Sequence, residues 1–78
     1  MSIREQATYF KGRRHGPTTW YFASGLKERM ATFWYDQLHG LYEEYWPNGQ
    51  LAVRANYVYG LLVDRIEYSE YGIVVDVY

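Results

Sequence analysis

The sequence predicts an all-β fold, a single-layer, twisted antiparallel meander of about three hairpin repeats with six or seven strands. Three observations lead to this prediction: glycines recur at a constant spacing, aromatic residues recur at the same spacing, and apolar residues alternate with polar ones between them. Sixteen of the 78 residues are Phe, Trp or Tyr, which favour strands and bring large apolar areas. No segment shows the 3.6-residue period of an amphipathic helix over the ten or more residues that a helix needs.

Glycines define the length of the repeat. Gly40 follows Gly16 at the same interval as Gly49 follows Gly25. Gly72 follows Gly49 at an interval that is one residue shorter. A constant period of about two dozen residues is typical of an array of similar supersecondary units.

Other residues follow the same spacing. His15-Gly16 is matched by His39-Gly40, and a Tyr lies four residues before each of Gly25, Gly49 and Gly72. A second aromatic row consists of Tyr9, Phe33 and Tyr57. One domain over residues 1–78 is therefore expected, with repeats at about 9–32, 33–56 and 57–78.

Turn residues separate the expected strands. Pro47-Asn48-Gly49 is a turn signature, because Pro presets φ and Gly accepts positive φ, and Ala23-Ser24-Gly25 and Glu70-Tyr71-Gly72 fill the same slot. The segments 36–39 and 60–62 are expected to link one hairpin to the next. Strands are expected near 7–12, 17–23, 26–35, 41–46, 50–59, 63–69 and 73–78.

The alternation of apolar and polar residues assigns side chains to faces. Within 50–59, Val53, Ala55, Tyr57 and Tyr59 alternate with mostly polar residues, as in a half-buried strand. By the repeat, Ala31, Phe33 and Tyr35 should share a face one repeat earlier. The denser apolar face is therefore expected to carry Tyr9, Phe33, Tyr35, Tyr57 and Tyr59.

Two structural alternatives remain open from the residues. Residues 28–37 could form a helix on propensity, although the matching stretch one repeat later is rich in strand formers. A small SH3-like barrel is the main alternative fold. In addition, Asp36 and Val63 occupy glycine slots and the third copy is one residue shorter, so its turn is expected to be remodelled.

The spacing of Tyr9, Gly12, Gly16, Tyr21 and Gly25 resembles the MORN repeat, and His39–Leu51 is the best single copy. The similarity runs from about residue 9 to 72 and is closer to the bacterial variant. It implies a single-layer antiparallel sheet in which each repeat adds a hairpin, with no active site in the repeat. It also implies an antitoxin-like role, as often attributed to the bacterial variant, or a scaffold role, as in eukaryotic members.

No residue pattern indicates catalysis. The only histidines, His15 and His39, occupy equivalent turns, and Glu43 and Glu44 are neighbours whose side chains should point to opposite faces of a strand. Cysteine is absent, and the glycines follow a turn period rather than a phosphate-loop pattern. The expectation is a protein that is not an enzyme and has neither a metal site nor a cofactor.

Composition bears on location and partners. The net charge of −1 does not favour nucleic acid as a partner, and no apolar run is long enough to span a bilayer. The N-terminal segment lacks the apolar stretch of a signal peptide. We expect a complete small protein of the cytoplasm, or of the host cytoplasm if a phage encodes it.

Exposed rings are the expected binding surface. Trp and Tyr often anchor interfaces, and the candidates for protein binding are Trp20, Phe22, Trp34, Tyr42 and Trp46. Ile73, Val75 and Val77 are the candidates for a self-associating edge strand in a homodimer. Lys11, Arg13 and Arg14 are weaker candidates for binding anionic lipid or another anion.

These surfaces support a hypothesis about function. The leading one is a non-catalytic module that binds a protein partner stoichiometrically, as an antitoxin or an inhibitor of a host defence or regulatory protein does. The alternative is a repeat scaffold that lies on a membrane surface or assembles with itself.

Overall fold

The protein forms one antiparallel sheet of seven strands paired in chain order, as described by a computed structural model for residues 4–78. The strands are β1 (Glu5–Phe10), β2 (Arg13–Tyr21), β3 (Lys27–Trp34), β4 (Gln37–Tyr45), β5 (Leu51–Val58), β6 (Leu61–Tyr68) and β7 (Val74–Val77). The molecule measures 40 × 36 × 9 Å, which is the thickness of a single sheet. The single-layer meander is confirmed, and the closed barrel is wrong because β1 and β7 do not pair.

The alternative helix over 28–37 is also wrong, because most of that segment lies in β3 and pairs with β2 and β4. Over residues 4–78, no helix has the length and apolar character needed to cross a membrane.

Two-residue turns close the hairpins β1–β2, β3–β4 and β5–β6. Both central residues have positive φ in each turn, which is the type I′ geometry that matches the twist of paired strands. Gly12 and Gly60 hold the second position at φ 78° and 83°, and Asp36 holds it at φ 70°. Asp36 fits because its carboxylate accepts a hydrogen bond from the backbone N–H of Arg14 at 2.7 Å.

The β3–β4 and β5–β6 turns are each tied to the hairpin before them. The N–H of Asp36 donates to the carbonyl of Arg14 at 2.9 Å, and the N–H of Gly60 donates to the carbonyl of Leu38 at 2.7 Å. Both partners of the second bond lie one full repeat after those of the first. Each turn therefore repeats the same contact with the hairpin before it.

The loops after β2, β4 and β6 also repeat one pattern. In the first loop the N–H of Phe22 donates to the carbonyl of Leu26, and the N–H of Gly25 donates to the carbonyl of Phe22. The corresponding residues of the other two loops are Trp46, Gln50 and Gly49, and Ser69, Ile73 and Gly72. The loops thus recur once per repeat, at the intervals that the glycines predict.

Gly16 and Gly40 lie in bulges inside β2 and β4, whereas a loop was expected there. Each bulge adds residues to one strand only, so that an advance of two residues along one strand lies opposite an advance of four residues along the next strand. The facing segments are Ala7–Tyr9 with Thr18–Arg14, and Ala31–Phe33 with Tyr42–Leu38. The expected starts at residues 17 and 41 were wrong by four residues, because a bulge glycine resembles a turn glycine in the sequence.

The third copy keeps its hairpin with a shorter bulge. Ala55 pairs with Arg65 and Tyr57 pairs with Leu62, so an advance of two residues along β5 lies opposite an advance of only three along β6. The residue that the third copy lacks is therefore missing from this bulge, at Val63. Strand pairing continues on both sides of this point.

The sheet has two unlike faces. We call the side that carries Thr18, Ala31 and Ala55 the groove face, and the opposite side the ladder face. Cross-strand partners share a face, so the four buried residues of the described chain, Thr18, Ala31, Val53 and Ala55, all lie on the groove face. The small core is therefore one-sided.

The aromatic assignment to faces was partly wrong. Tyr9, Phe33 and Tyr57 lie on the groove face, as expected for the denser side. Tyr35 and Tyr59 are instead the first residues of type I′ turns, with φ 45° and 46°, and their rings turn to the ladder face.

Candidate functional site

A continuous row of rings runs across the ladder face beside the type I′ turns. This ring ladder consists of Phe10, His15, Trp34, Tyr35, His39 and Tyr59. Adjacent ring centroids are 4.5–6.3 Å apart, in tilted or edge-to-face arrangements. The ladder extends from β1 to the turn after β5.

The repeat explains why these rings meet. Trp34 lies one full repeat after Phe10, and the two histidines and the two tyrosines are related by the same shift. Phe10 and Trp34 are the last residues of β1 and β3, and each histidine lies on the next strand, beside the bulge glycine. Equivalent places in successive hairpins thus form one row.

The Phe, Trp and Tyr rings of the ladder are exposed to solvent, and the two histidines between them are half-buried. Phe10 is 46% exposed, Trp34 45% and Tyr59 60%. Aromatic rings that are held by neighbours yet exposed lose little conformational entropy when they bind a partner.

The two histidines make different polar contacts. Nδ1 of His39 accepts a hydrogen bond from the backbone N–H of Tyr59 at 3.0 Å, which places the proton of the neutral ring on Nε2. Nδ1 of His15 is buried against Phe10, Trp34 and Tyr35 and has no hydrogen-bond partner in the described chain.

The groove face carries a second feature, a groove of about 550 Å³ that extends from β2 to β5. Ala31 lies at its floor, and its lining includes Trp20, Phe33, Tyr42 and Tyr57. Small residues in the middle row of the face lie between rows of larger side chains, which leaves this depression.

Two arginines extend over the rings of the groove. The guanidinium carbon of Arg29 lies 4.2 Å from the Trp20 ring centroid, and that of Arg14 lies 5.7 Å from it. Arg14 is ion-paired with Glu5 at 2.7 Å. Arg29 has no carboxylate within 4.0 Å among residues 4–78, and its Nε is buried without a partner. Its guanidinium makes a cation–π contact with the Trp20 ring.

Two tyrosines bond to carboxylates on opposite faces of β4. The hydroxyl of Tyr42 donates to Glu44 at 3.0 Å on the groove face, and burial, then this carboxylate, raises the pKa of Tyr42. The hydroxyl of Tyr45 donates to Glu43 at 2.8 Å on the ladder face, and burial together with Glu43 raises the pKa of Tyr45 to about 12. Both rings are therefore held in their neutral form.

The five rings predicted to bind a protein do not form one surface. Trp20 and Tyr42 lie on the groove face, and Trp34 belongs to the ring ladder. Phe22 and Trp46 begin the equivalent loops after β2 and β4, and Nε1 of Trp46 donates to the carbonyl of Tyr68 at 3.1 Å. Of the five, the structure joins Trp34 to further exposed rings.

Sequence reasoning missed the ladder as a unit. It identified His15, His39, Tyr35 and Tyr59 as repeated residues but placed the tyrosines in strands. The sequence did contain a signal for the ladder, because its rings are related in pairs by a shift of one repeat. Phe10 and Trp34 form such a pair, and each immediately precedes a two-residue turn.

The basic residues predicted to bind anions are divided by the strand. Arg13 and Arg14 are neighbours in β2, and Arg14 lies on the groove face with Glu5, whereas Arg13 pairs with Phe10 on the ladder face. Lys11 lies in the turn, with Nζ 5.4 Å from the centroid of Phe10. The three charges therefore do not make one patch.

The predicted self-association edge is exposed but guarded. Ile73, Val75 and Val77 are 64%, 61% and 62% exposed beside or within β7. The N–H of Val77, which faces away from β6, donates to the carboxylate of Asp76 at 2.9 Å, and Val75 lies in a bulge. A side chain over an edge donor and a bulge both oppose the addition of another strand.

No group of three or more His, Cys, Asp or Glu that could hold a metal ion is found within the part of the chain that the structure describes.

A comparison with protein families matches residues 38–59 to the MORN repeat variant. This segment covers most of β4, the following loop, β5 and the first residue of the next turn. Its loop bonds and turn contacts recur in the neighbouring segments at the interval of the repeat. The chain contains a MORN repeat at residues 38–59. No curated protein and no solved structure matches it significantly.

In this MORN repeat, the matched glycines have separate roles. Gly40 allows the bulge in β4 at φ 107°, and Gly49 closes the next loop at φ 90°. His39 and Tyr59, near the two ends of the matched segment, form the last contact of the ring ladder.

Proposed function

We propose that the protein is a non-catalytic module that binds a protein partner through the ring ladder. The observation that supports this most directly is the continuous row of rings from Phe10 through Trp34 to Tyr59, in which these three rings are exposed. Trp and Tyr are the residues most enriched at energetic centres of interfaces, and here they are contiguous. The single-layer sheet presents them without a covering element.

Stoichiometric occlusion is the mode of action that such a surface supports. An antitoxin or an inhibitor of a host defence or regulatory protein acts by covering a surface of its target, and it requires no chemistry of its own. An antitoxin-like role is what the resemblance to the bacterial MORN variant implies, and residues 38–59 match the MORN repeat variant.

The membrane-scaffold alternative has less support. Lys11 and Arg13 adjoin the ladder at Phe10, but Arg14 lies on the other face in an ion pair. Flotation of the protein with vesicles that contain anionic lipid, carried out at low and high salt, tests this alternative directly.

Replacing Trp34 by Ala tests the ladder. The partner is first captured from native cells with the tagged protein and identified, and its affinity is then measured by calorimetry. We expect Trp34→Ala to weaken binding by about 2 kcal/mol or more, as for a central interface ring. The exposed ring should contribute little to folding, so far-UV circular dichroism should be retained.

Tyr71→Ala is the matched control, because Tyr71 is 78% exposed and lies in the loop after β6, away from the ladder. It should bind like the wild type. Equal affinities of the Trp34→Ala and Tyr71→Ala proteins would show that the ladder is not the binding surface.

A further inference from the structure

The groove face carries the whole core on one side of an uncovered sheet. Its four buried residues are three small side chains and one Val, whereas Tyr9, Leu62 and Tyr78 on the same face are 47–66% exposed. A single sheet needs another layer to bury such a face, and aligned sheets pack about 10 Å apart. We propose that this layer is the groove face of a second copy of the chain.

The dimensions suit this occupant. The sheet measures 40 × 36 Å, and a standard stable interface buries about 800 Å² on each partner. More than half of one face could be covered without use of the strand edges. The guarded edge at Asp76 does not enter this contact, because the sheets meet face to face.

Symmetry identifies the contacts. The two-fold axis runs parallel to the strands, above the groove face and midway between β3 and β4. It places β3 of one protomer over β4 of its partner, and β4 over β3. Residues that pair across β3 and β4 within a chain then also meet between chains. Such an interface is isologous, so every contact occurs twice.

The residues of β3 and β4 on the groove face complement each other under this operation. Within one chain, Arg29 of β3 lies opposite Glu44 of β4 in the strand register. Arg29 nevertheless has no carboxylate within 4.0 Å in the described chain. The axis brings the partner's Glu44 over Arg29, which supplies that carboxylate in a partly desolvated site.

Size and polarity match as well. Ala31 pairs in register with Tyr42, and Phe33 pairs with Leu38. The operation therefore sets the partner's Tyr42 over the groove that has Ala31 at its floor, and the partner's Leu38 over Phe33. A large side chain meets a small one, and an apolar side chain meets an apolar one, without any further protein.

Charge exchange between copies tests the proposal. Arg29→Glu and Glu44→Arg should each weaken the dimer by about tenfold or more in Kd, because like charges then oppose each other twice. An equal mixture of the two variants should form a heterodimer, and the double variant should dimerise like the wild type. Sedimentation equilibrium and native mass spectrometry measure these species.

Mixing separates contacts between chains from those within a chain. Repulsion between positions 29 and 44 of the same chain is not relieved by mixing, whereas repulsion between chains is. A wild-type protein that is monomeric across a concentration series would overturn the proposal. A dimer that is indifferent to both substitutions, or a mixture without heterodimer, would also overturn it.

A measurement that keeps both charges covers the case in which the single variants do not fold. The protein with Trp34→Phe and Trp46→Phe retains only Trp20, on the groove face, and its quenching by acrylamide should fall as concentration rises. The protein with Trp20→Phe and Trp46→Phe retains only Trp34, on the ladder face, and its quenching should not change. The reverse result, or no change in either protein, would contradict the proposal.

Discussion

Asp36 occupies a turn position that glycine holds in the other two type I′ turns. Its φ of 70° is left-handed, and a β-carbon there costs about 1–2 kcal/mol in an ordinary residue. The hydrogen bonds of its carboxylate and N–H with the backbone of Arg14 offset this cost. The sequence showed that Asp36 departs from the repeat, but the compensating partner lies in the preceding hairpin and could not be read from it.

Tyr45 makes the stability of the protein sensitive to alkaline pH. Its pKa in the folded state is about 12, above the ordinary tyrosine value of about 10, so the folded chain keeps a proton that the unfolded chain loses. Its contribution to stability is complete below about pH 10 and is lost as the pH rises to about 12. Tyr45→Phe should flatten this decline, measured as the thermal midpoint between pH 8 and 12.

Tyr71→Phe is the matched control for the loss of a tyrosine hydroxyl in an exposed loop. If Tyr45→Phe and the wild type lose stability equally between about pH 10 and 12, Tyr45 is not responsible for the decline.

At the scale of the strand, the bulges decide which predictions were right. The order and number of strands followed from the spacing of glycines and apolar residues, and both were confirmed. The starts of β2 and β4 were wrong, because the sequence does not distinguish a glycine in a bulge from one in a turn. The face of each ring also depends on the bulges and turns, so the candidate rings could be recognised but not grouped.

The edge of β7 gives a prediction at this scale. Asp76→Ala should free the N–H of Val77 for pairing with another chain, since the carboxylate that now accepts it is removed. The variant should form species larger than those of the wild type, detected by light scattering at matched concentrations.

Glu70→Ala is the control, because it removes the same charge from the neighbouring loop. The hydrogen bond from Asn48 goes to the backbone carbonyl of Glu70, which the substitution keeps. The oligomeric state of this variant should therefore match that of the wild type. Equal scattering by the two variants would argue that Asp76 does not guard the edge.

Over the whole molecule, stability is shared between similar neighbouring hairpins. Each strand pairs only with the strands before and after it, and the loop bonds recur once per repeat. The repeat therefore predicted the architecture well. It related the rings of the ladder by a shared shift, but it did not group them on one face or reveal the groove, because both arise from side chains of three or more strands brought together by register.

Insertion of a second copy of residues 33–56 after residue 56 tests this modular arrangement. The added unit should form two more strands and meet neighbours like its own, so the denaturant midpoint and the m-value should both rise. Circular dichroism during urea unfolding measures both. An m-value equal to that of the wild type would mean that the insert does not join the sheet.

A thickness of 9 Å means that only backbone separates the two surfaces. Neighbouring residues of a strand point in opposite directions, so point substitutions at alternate positions alter one surface and leave the chemistry of the other in place. Selection can therefore change what one side of the protein recognises while the opposite side keeps its sequence.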